Sequence, residues 1–549
     1  MRTLSADRIA GIGLVLGLLA AAHLAWTQKV NWDEFFYLSQ VWDYERGTLS
    51  LALQTIHVHL FHWLTGTELD EIGQIRLGRL VMLACQAGTV LLIVTGLRAF
   101  FDRGPALFAA LTYLALDNVL YHGAAFRVDP LSTFLIMGAL VILLRAPLVP
   151  LSVLTFAVAA AVATLVTVKV VFYFPAFLGA ALWRIGGSPR RGRDAVVIGT
   201  MAALTLGVFA ALYLWHQSTL AEAEIAGSTA MLGRAASTTM IPHTLFPRAL
   251  YVVQQVLWAP LESLVLVLGL VLLLIRGRTL AGSPRAVWSL VLLSLPLAVF
   301  AFYRNAFPYY FPSILPPAMG LAALTGVLIW RHARAAQIAT AALVLSLGLT
   351  WHQRLPHSLA PQAKVIAAAH EIFTTPVGYI DRSGTLASFP KTGFFMSSWG
   401  MGRYQREGVP VLRDGMSREV VPLLLLNSPH LRAAVGTGLS EVLSGLLAED
   451  IDAVSDSYVP HWGPIWVAGR DFAPAPVAVE WHVRVPGKYT VEAPKAVEIN
   501  GIPHAPDSVV TLARGMTAVR ADAGAVLRWG DHLARPQTAA PDGPFFTDF

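Results

Sequence analysis

Two adjacent carboxylates follow directly on the first apolar segment of the chain. They are Asp33 and Glu34, and the residues after them include the aromatic side chains Phe36, Tyr37 and Trp42. A carboxylate at a membrane surface can orient a hydroxyl group and accept its proton, which is general-base chemistry. The alternative interpretation is that Asp33 caps an interfacial helix whose aromatic residues lie at the bilayer surface. We predict that Asp33 is a general base, with Glu34 as its neighbour or substitute.

Cationic residues recur in later polar segments of the chain. Arg127 stands two residues before Asp129, Lys169 interrupts an apolar stretch, and Arg304 precedes an aromatic segment. Such cations can stabilise a departing anionic group such as a phosphate. The structural alternative is that each long side chain reaches from an apolar segment to the membrane interface. We predict phosphate binding by Arg127, Lys169 and Arg304. Asp129, predicted as a further catalytic acid, has the alternatives of pairing with Arg127 or of holding a sugar or a metal.

Several histidines and tyrosines could contact a sugar or an acceptor. Histidines occupy positions 57, 59 and 62, and an adjacent pair of tyrosines follows Arg304. A His-x-His string without matching carboxylate spacing is weak support for a metal site. The identity of any metal ligand is therefore open, and a divalent metal is retained only as an option. We predict hydrogen bonding to an acceptor or a headgroup by His57 and His59, and sugar or acceptor binding by Tyr309 and Tyr310.

The composition identifies the environment in which these residues must be positioned. Apolar residues make up 55% of the 549 residues, charged residues only 13%, and the mean hydropathy is +0.58. A soluble domain carries about 25% charged residues, so this chain could not cover its own surface in water. The net charge of +6 is assigned to arginines beside a bilayer rather than to nucleic-acid binding, and the single cysteine excludes an internal disulfide. The protein is predicted to be an integral membrane protein.

Apolar segments long enough for helices that cross a bilayer recur through the first 351 residues. A crossing helix needs about 20 residues. Residues 148–183 are too long for one crossing and barely long enough for two, so we predict two short helices that turn near Lys169. The sequence then predicts eleven membrane helices, at residues 9–27, 80–97, 105–120, 131–144, 148–168, 170–183, 195–215, 257–275, 286–303, 311–330 and 335–351.

The distribution of arginines predicts the orientation of these helices. Fourteen arginines fall in six short segments, all on one side of the predicted membrane, whereas the acidic residues concentrate in the alternate loops. Basic residues favour the cytoplasmic side. The N-terminus is therefore predicted to be cytoplasmic, and loop 28–77, which contains interfacial helices, is predicted to lie outside.

The last part of the chain has a different pattern. After Trp351 the hydropathy falls, and short apolar–polar alternations stand between glycines and prolines. Residues 482–492 are predicted to form strand, turn and strand, and residues 497–501 a strand that ends in an Asn-Gly turn. We therefore divide the chain into a membrane domain, 1–351, and an outer soluble domain, 352–549. The soluble domain is predicted to be α/β, followed by a β-sandwich-like part at about 474–535.

Four strings on the predicted outer side resemble motifs of one enzyme family. They are Asn-Trp-Asp-Glu at 31–34, Arg-Val-Asp at 127–129, the segment around Lys169, and the Arg-to-Tyr-Tyr-to-Pro segment that begins at Arg304. Together they are similar to the GT-C glycosyltransferases, in the group of the protein O-mannosyltransferases and the aminoarabinose transferase of lipid A. The resemblance covers about residues 8–351 in layout, and a periplasmic C-terminal domain also fits the family.

The resemblance implies a polytopic α-helical enzyme of a bacterial inner membrane. It would transfer a sugar, with inversion, from a polyprenyl-phosphate donor to an envelope acceptor at the periplasmic face. The acceptor would be a lipid, a polysaccharide, another glycan or a protein. The other partners would be membrane lipids, with no nucleic acid, and no cofactor is assigned.

A polytopic transporter or lipid flippase with a periplasmic accessory domain is the main alternative. Transporters of that kind show repeat symmetry and charged residues near the bilayer midplane. Here the ionisable residues concentrate in the outer loops, and only Asp117 and Glu262 intrude into apolar stretches. A non-catalytic receptor or assembly subunit is a third alternative, but it would leave the clustered acids unexplained.

Overall fold

The computed structural model describes residues 4–220, 245–436, 444–542 and 546. Helices dominate up to Arg354, and a sheet-rich domain follows. The helices described up to that point are α1 (Ala6–Thr27), α2 (Trp32–Glu45), α3 (His57–Phe61), α4 (Glu71–Leu97), α5 (Arg103–Ala115), α6 (Asp117–His122), α7 (Val128–Arg145), α8 (Pro150–Val166), α9 (Phe174–Gly187), α10 (Arg191–Ser218), α11 (Ala249–Trp258), α12 (Pro260–Ala281), α13 (Pro284–Ser294), α14 (Phe311–Ile314), α15 (Gly320–Ile329) and α16 (Ala333–Arg354).

The helical part is that of a multi-pass membrane protein. Among the described residues, eight helices are long and apolar enough to cross a membrane, or nine if the bent pair around α14 and α15 is one span. Each of the eleven predicted segments contains a helix, but α5 has 13 residues and α8 has 17. These two helices fall short of the length of a full crossing, so the predicted count of eleven is not confirmed.

The predicted break near Lys169 is confirmed. Helix α8 ends at Val166, a 3-10 helix covers Val168–Tyr173, and α9 begins at Phe174. The hydroxyl of Thr167 accepts a hydrogen bond from the Lys169 backbone N–H at 3.4 Å, which caps the new segment. Because the chain turns here, the lysine side chain emerges between helices instead of at a helix end.

Close contacts at glycines hold the membrane helices together. A Cβ at Gly17 of α1 would lie 2.6 Å from Leu114 of α5, and one at Gly269 of α12 would lie 2.0 Å from the backbone oxygen of Leu321. Inside a bilayer the hydrophobic effect does not drive helices together, because lipid tails are as apolar as the side chains. Van der Waals contacts at small residues, where helices approach closely, therefore stabilise the packing. The helices are therefore packed tightly enough to fix side chains at their ends.

The sheet-rich domain contains two sheets. The larger has the order β10-β7-β12-β5-β3-β1-β2 with β4 beside β5, and the smaller has the order β6-β11-β8-β9. The strands are β1 (Tyr379–Ile380), β2 (Lys391–Thr392), β3 (Leu423–Leu425), β4 (Tyr458–Trp462), β5 (Ile465–Phe472), β6 (Val479–Val483), β7 (Gly487–Glu492), β8 (Val497–Ile499), β9 (Ile502–His504), β10 (Val509–Leu512), β11 (Gly515–Arg520) and β12 (Ala525–Trp529). The helices described here are α17 (Ala360–Ile372), α18 (Ser398–Glu407), α19 (Val411–Arg418), α20 (Pro429–Ala434) and α21 (Ala448–Ser455).

The predicted strands of this domain are present, but their pairing has a feature that the sequence did not indicate. Strands β6 and β7 follow each other in the chain and lie in different sheets, with Trp481 and Tyr489 packed edge to face in the core between them. The larger sheet also continues from β7 and β12 into β5, β3 and β1. The predicted sandwich at 474–535 is thus joined to the preceding α/β segment through one sheet. The predicted turn at Asn500-Gly501 is confirmed by positive φ values of 50° and 80°.

The sheet-rich domain is attached directly beside α2. The Lys29 backbone N–H donates to the His357 carbonyl at 2.7 Å, and the Val30 N–H donates to the Gln362 side chain at 2.7 Å. Residues 29 and 30 stand immediately before the cap of α2. The position of this short helix is therefore fixed by both parts of the molecule.

Candidate active site

The start of α2 is capped by Asn31. Its side-chain oxygen accepts from the Asp33 backbone N–H at 2.9 Å, and the Glu34 carboxylate accepts from the Asn31 N–H at 3.0 Å. This reciprocal arrangement is a capping box. Because Asn31 performs the capping, the alternative interpretation of Asp33 as the helix cap is wrong, and the Asp33 carboxylate points to another group.

Four of the residues predicted from sequence form a chain of alternating charges. The Arg127 guanidinium donates to Asp33 through Nη1 and to Asp129 through Nε, the latter at 3.3 Å. Lys169 Nζ donates to the other oxygen of Asp129 at 2.8 Å. We call Asp33, Arg127, Asp129 and Lys169 the ion-pair chain. Its end residues are the most accessible, with side chains 17% exposed at Asp33 and 18% at Lys169, against 3% for the two between them.

Three tyrosines lie against the cations of the ion-pair chain. The guanidinium carbon of Arg127 lies 3.5 Å from the centroid of the Tyr309 ring and 5.9 Å from that of Tyr37. Lys169 Nζ lies 5.0 Å from the Tyr309 centroid and 5.7 Å from that of Tyr310. Cation–π contacts of this kind are strongest when they are shielded from water. The structure thus places Tyr309 and Tyr310 beside the ion-pair chain. Their predicted binding of a sugar or an acceptor stays a prediction.

Glu34 has surroundings unlike those of Asp33. Its carboxylate receives two hydrogen bonds from Arg79, both 2.7 Å long, and one of 2.7 Å from the Phe126 N–H. Burial would raise the pKa of Glu34, but the Arg79 charge and these hydrogen bonds lower it below its ordinary value. The enclosed carboxylate therefore anchors the residue that precedes Arg127. This geometry favours a positioning role over a direct catalytic one.

Arg79 is the residue that the sequence reasoning missed. It is fully buried, and besides Glu34 it donates to the backbone carbonyls of residues 25, 28 and 29. It therefore ties the end of α1 to the start of α2. The signal was present, because an arginine beside an apolar helical stretch needs a buried partner. The sequence does not show that this partner is Glu34.

The two predicted histidines pack against tyrosines of α2, His57 against Tyr37 and His59 against Tyr44. His57 packs edge to face against Tyr37 with centroids 5.4 Å apart, and burial lowers its pKa to about 4. His59 Nε2 lies 2.8 Å from His216 Nδ1, and the other ring nitrogen of His216 lies 2.8 Å from the Thr55 hydroxyl. Among the described residues no group of three or more His, Cys, Asp or Glu side chains is suited to hold a metal ion.

Arg304 occupies a position at the border with the sheet-rich domain. Its guanidinium carbon lies 5.2 Å from the ring centroid of Trp399, and the Trp399 indole N–H donates to Asn305 at 2.8 Å. The preceding residue, Tyr303, packs beside Tyr310 with centroids 5.4 Å apart. Arg304 therefore stands next to the site and is not a link of the ion-pair chain.

Two neighbouring cavities lie at the lysine end of the ion-pair chain. A small polar cavity of about 10 Å³ is lined by Asp129, Lys169, Tyr310 and Ser313, among other residues. A larger apolar cavity of about 700 Å³ lies between α7, α8, α9 and α10. Ile136 and Val170 line both cavities. An apolar chain placed in the larger cavity would thus bring a polar head group to Lys169.

The structure thus combines a multi-pass helical domain, a charged cluster at helix ends and a sheet-rich domain beside α2. No protein-family model and no curated protein matches the sequence. The structure is similar to the crystal structure of ArnT from Cupriavidus metallidurans bound to undecaprenyl phosphate, with a TM-score of 0.51, 14% identity, and coverage of 79% of this chain and 94% of that one.

Two further solved structures resemble this chain. For apo ArnT from the same organism the TM-score is 0.50 at 13% identity, with 78% and 96% of the two chains covered. For the apo oligosaccharyltransferase of Archaeoglobus fulgidus the TM-score is 0.49 at 10% identity, with 92% and 76% covered. The fold is inferred from the two ArnT structures, and ArnT is a GT-C superfamily member. The resemblance inferred from the four strings is thus confirmed at the level of the fold.

Proposed function

We propose that the protein is a membrane glycosyltransferase that moves a sugar from a polyprenyl-phosphate donor to an envelope acceptor. The observation that carries this proposal is the order in which three features adjoin one another: the apolar cavity, the small polar cavity at Lys169, and the ion-pair chain that ends at Asp33. A lipid-linked sugar has the same three parts in the same order, namely an apolar chain, a phosphate and a sugar. The similarity to an ArnT structure that contains undecaprenyl phosphate supports a donor of this kind.

In this proposal Lys169 and Arg127 bind the donor phosphate and Asp33 acts as the base. The acceptor oxygen attacks the anomeric carbon, the bond from that carbon to the phosphate oxygen breaks, and the acceptor proton moves to Asp33. The polyprenyl phosphate leaves with the bonding electrons, and the cations stabilise its charge. A single displacement inverts the anomeric centre. The partial exposure of Asp33 supports its assignment as the residue that meets the acceptor.

We also propose where the protein lies in the cell and how it is oriented in the membrane. We infer a bacterial inner membrane, with the N-terminus in the cytoplasm and the sheet-rich domain in the periplasm. The support is that fourteen arginines cluster in the six short segments predicted to be cytoplasmic, the side that basic residues favour. The acceptor, a lipid, a glycan or a protein, would then approach from the periplasmic side, where the sheet-rich domain adjoins α2.

Transfer in proteoliposomes tests this function. Purified protein is mixed with a radiolabelled polyprenyl-phosphate sugar and an envelope extract, and the label is followed into the acceptor fraction. We expect labelled acceptor with wild-type protein and none with Asp33→Asn. Uptake or exchange of the lipid-linked sugar without transfer would contradict the proposal and would favour a transporter or flippase.

A further inference from the structure

We propose that the C-terminal segment of the chain, through Phe546, positions α2 and with it the proposed base, Asp33. The inference rests on the proposed function and deepens it, because it assigns a positioning residue to the transfer reaction. We call the described residues 531–542 and 546 the C-terminal strap. The strap acts through the position of α2 and not by contact with a substrate.

The strap is attached to the sheet-rich domain, although its described part contains no helix or strand. The His461 Nε2–H donates to the Ala534 carbonyl at 2.8 Å, and the Trp462 indole N–H donates to the Thr538 carbonyl at 2.9 Å. Both donors belong to β4. Terminal segments are usually loose unless specific contacts tie them down. The two hydrogen bonds therefore give the strap a defined path beside β4.

A glycine makes room for the strap in the turn that follows β4. Gly463 has a φ of 50°, a backbone conformation that favours glycine. A Cβ at this position would lie 2.5 Å from the Cβ of Ala540, whereas carbon atoms in contact lie about 3.5–4.0 Å apart. The turn between β4 and β5 therefore admits the strap because residue 463 has no side chain.

Phe546 brings the strap into contact with α2. Its ring centroid lies 6.0 Å from that of Phe35, and the two ring planes are tilted by 58°. Phe35 is fully buried and stands two residues after Asp33. Aromatic pairs at such distances stabilise a structure beyond the burial of their area. The contact thus falls within one helical turn of the proposed base.

The contact lies in the core that joins the two domains. Phe35 and Leu38 of α2 pack there with residues of α4, α17, β3 and β5. Three residues of the strap are partly buried against the same core, namely Leu533, Ala540 and Phe546. The strap therefore covers the border between the membrane domain and the sheet-rich domain.

The strap holds α2 from a different direction than segment 382–395 does. Phe36 stacks on Phe395 with centroids 4.5 Å apart, whereas Phe35 meets Phe546. Neighbouring residues of a helix point about 100° apart, so the two contacts together resist rotation of α2 about its axis. Such a rotation would carry the Asp33 carboxylate away from the ion-pair chain. The strap therefore contributes to the direction in which the proposed base points.

Hydrogen exchange and sugar transfer, measured on the same purified full-length variants, test this proposal. Phe546→Ala removes the ring that contacts α2, and Phe546→Tyr keeps it. The matched control is Gln537→Ala, which changes an exposed side chain of the same strap. Exchange of the α2 amides reports whether the strap holds the helix, and it needs no activity. Transfer rate, donor affinity and melting temperature are measured beside it.

We expect Phe546→Ala to speed exchange of the α2 amides by about 3- to 10-fold and to slow transfer by about tenfold. Donor affinity should stay within about threefold of wild type and the melting temperature within about 3 °C. Phe546→Tyr and Gln537→Ala should match wild type within about twofold. In a Phe35→Leu background, which already lacks the ring contact, Phe546→Ala should slow transfer by less than about twofold.

Other outcomes would overturn the inference. Unchanged exchange and unchanged transfer in Phe546→Ala would refute the role of the strap and leave the proposed function standing. Faster exchange of α2 in this variant, in a protein whose wild type transfers no sugar, would refute the proposed function while showing that the strap holds the helix. An equal loss of transfer in Gln537→Ala, or an undiminished loss in the Phe35→Leu background, would show that the effect does not pass through the contact with α2.

Discussion

Asp33 and Glu34 are neighbours in the sequence, yet their carboxylates lie in different environments. Asp33 is partly exposed and pairs with Arg127, whereas Glu34 is enclosed and bound by Arg79 and the Phe126 N–H. Successive residues of a helix point about 100° apart, so one faces the site and the other faces the protein interior. The geometry thus divides the acidic pair into a residue that can meet a substrate and a residue that maintains the structure.

The positioning role of Glu34 gives a prediction on stability. Glu34→Gln leaves Arg79 as a buried charge without a charged partner, so we expect a loss of about 3–5 kcal/mol in the free energy of unfolding. Combining it with Arg79→Met should recover part of that loss, because no buried charge then remains. Thermal or denaturant unfolding of the two single variants and the double variant measures this coupling. A Glu34→Gln protein of normal stability that lacks transfer activity would instead support Glu34 as a catalytic acid or base.

At the scale of elements, segment 382–395 of the sheet-rich domain lies alongside α2 and contacts both of its ends. The guanidinium carbon of Arg382 lies 3.4 Å from the ring centroid of Trp32, and the ring of Phe395 stacks on Phe36 with centroids 4.5 Å apart. Arg46 at the other end donates to the Ala387 carbonyl at 3.0 Å. The two aromatic contacts flank Asp33 in sequence. This segment therefore fixes the helix that carries the proposed base.

Loss of the stacked pair should affect transfer more than donor binding. We expect Phe395→Ala to lower the transfer rate by about tenfold, because α2 loses a contact of the kind worth about 0.5–1.5 kcal/mol and Asp33 is less well held. Donor affinity should change by less than about threefold. The matched control is Phe394→Ala, since Phe394 stacks on Tyr404 inside the sheet-rich domain. Equal transfer rates for the two variants would refute a specific role for the contact with α2.

A histidine links the same domain to α4 and makes the attachment sensitive to pH. His370 Nε2 lies 2.9 Å from the Glu71 carboxylate, which also accepts from Ser388 Oγ at 2.6 Å. The hydrogen bond with Glu71 raises the pKa of His370 above its ordinary value. A pKa raised by folding stabilises the protein most below about pH 6.5, the unfolded value. This contribution is lost as the pH rises through the folded value.

The melting temperature should therefore fall between about pH 6 and pH 8.5, and part of that fall should depend on His370. We expect His370→Asn to lower the melting temperature at pH 6 and to make the profile flatter, with little difference from wild type at pH 8.5. Scanning fluorimetry of both proteins across this range measures the effect. Parallel profiles for the two proteins would show that the His370 contact does not contribute to the pH dependence.

Local sequence was sufficient for features that depend on neighbouring residues. The break at Lys169 followed from an apolar stretch too long for one crossing, and the turn at Asn500 followed from its Asn-Gly dipeptide. Contacts between distant segments could not be predicted from local sequence. Glu34 and Arg79 are 45 positions apart, and neither flanking sequence specifies the other. The separation of β6 and β7 into different sheets likewise depends on which distant strands pair with each.

For the whole molecule, the orientation in the membrane is open to a direct measurement. The natural cysteine, Cys85, is buried, so background labelling by a maleimide should be low. Glu68→Cys places a thiol in loop 28–77 and Arg190→Cys places one between α9 and α10, and both native residues are exposed. We expect a membrane-impermeant maleimide to label residue 68 in intact spheroplasts and residue 190 only after permeabilisation. The reverse pattern would contradict the proposed orientation.

All parts of the molecule contribute to the position of one carboxylate, that of Asp33. The membrane helices supply Arg127 and Lys169, α2 supplies Asp33, and the sheet-rich domain holds α2 in place. If Asp33 is the base, replacing it by asparagine keeps its size and much of its hydrogen bonding but removes the ability to accept a proton. The fold and the donor site should then remain, while the chemical step is lost.

The most direct measurement is the rate of sugar transfer by Asp33→Asn together with its donor affinity. The matched control is Asp43→Asn, since Asp43 lies on the same helix and also pairs with an arginine, Arg46, at 2.8 Å. We predict a loss of at least about 100-fold in transfer for Asp33→Asn, the contribution expected of a positioned base, with donor affinity within about threefold of wild type. Asp43→Asn should transfer sugar at nearly the wild-type rate. A near-normal rate for Asp33→Asn would contradict the account and move the base to another carboxylate, of which Asp129 is the first candidate.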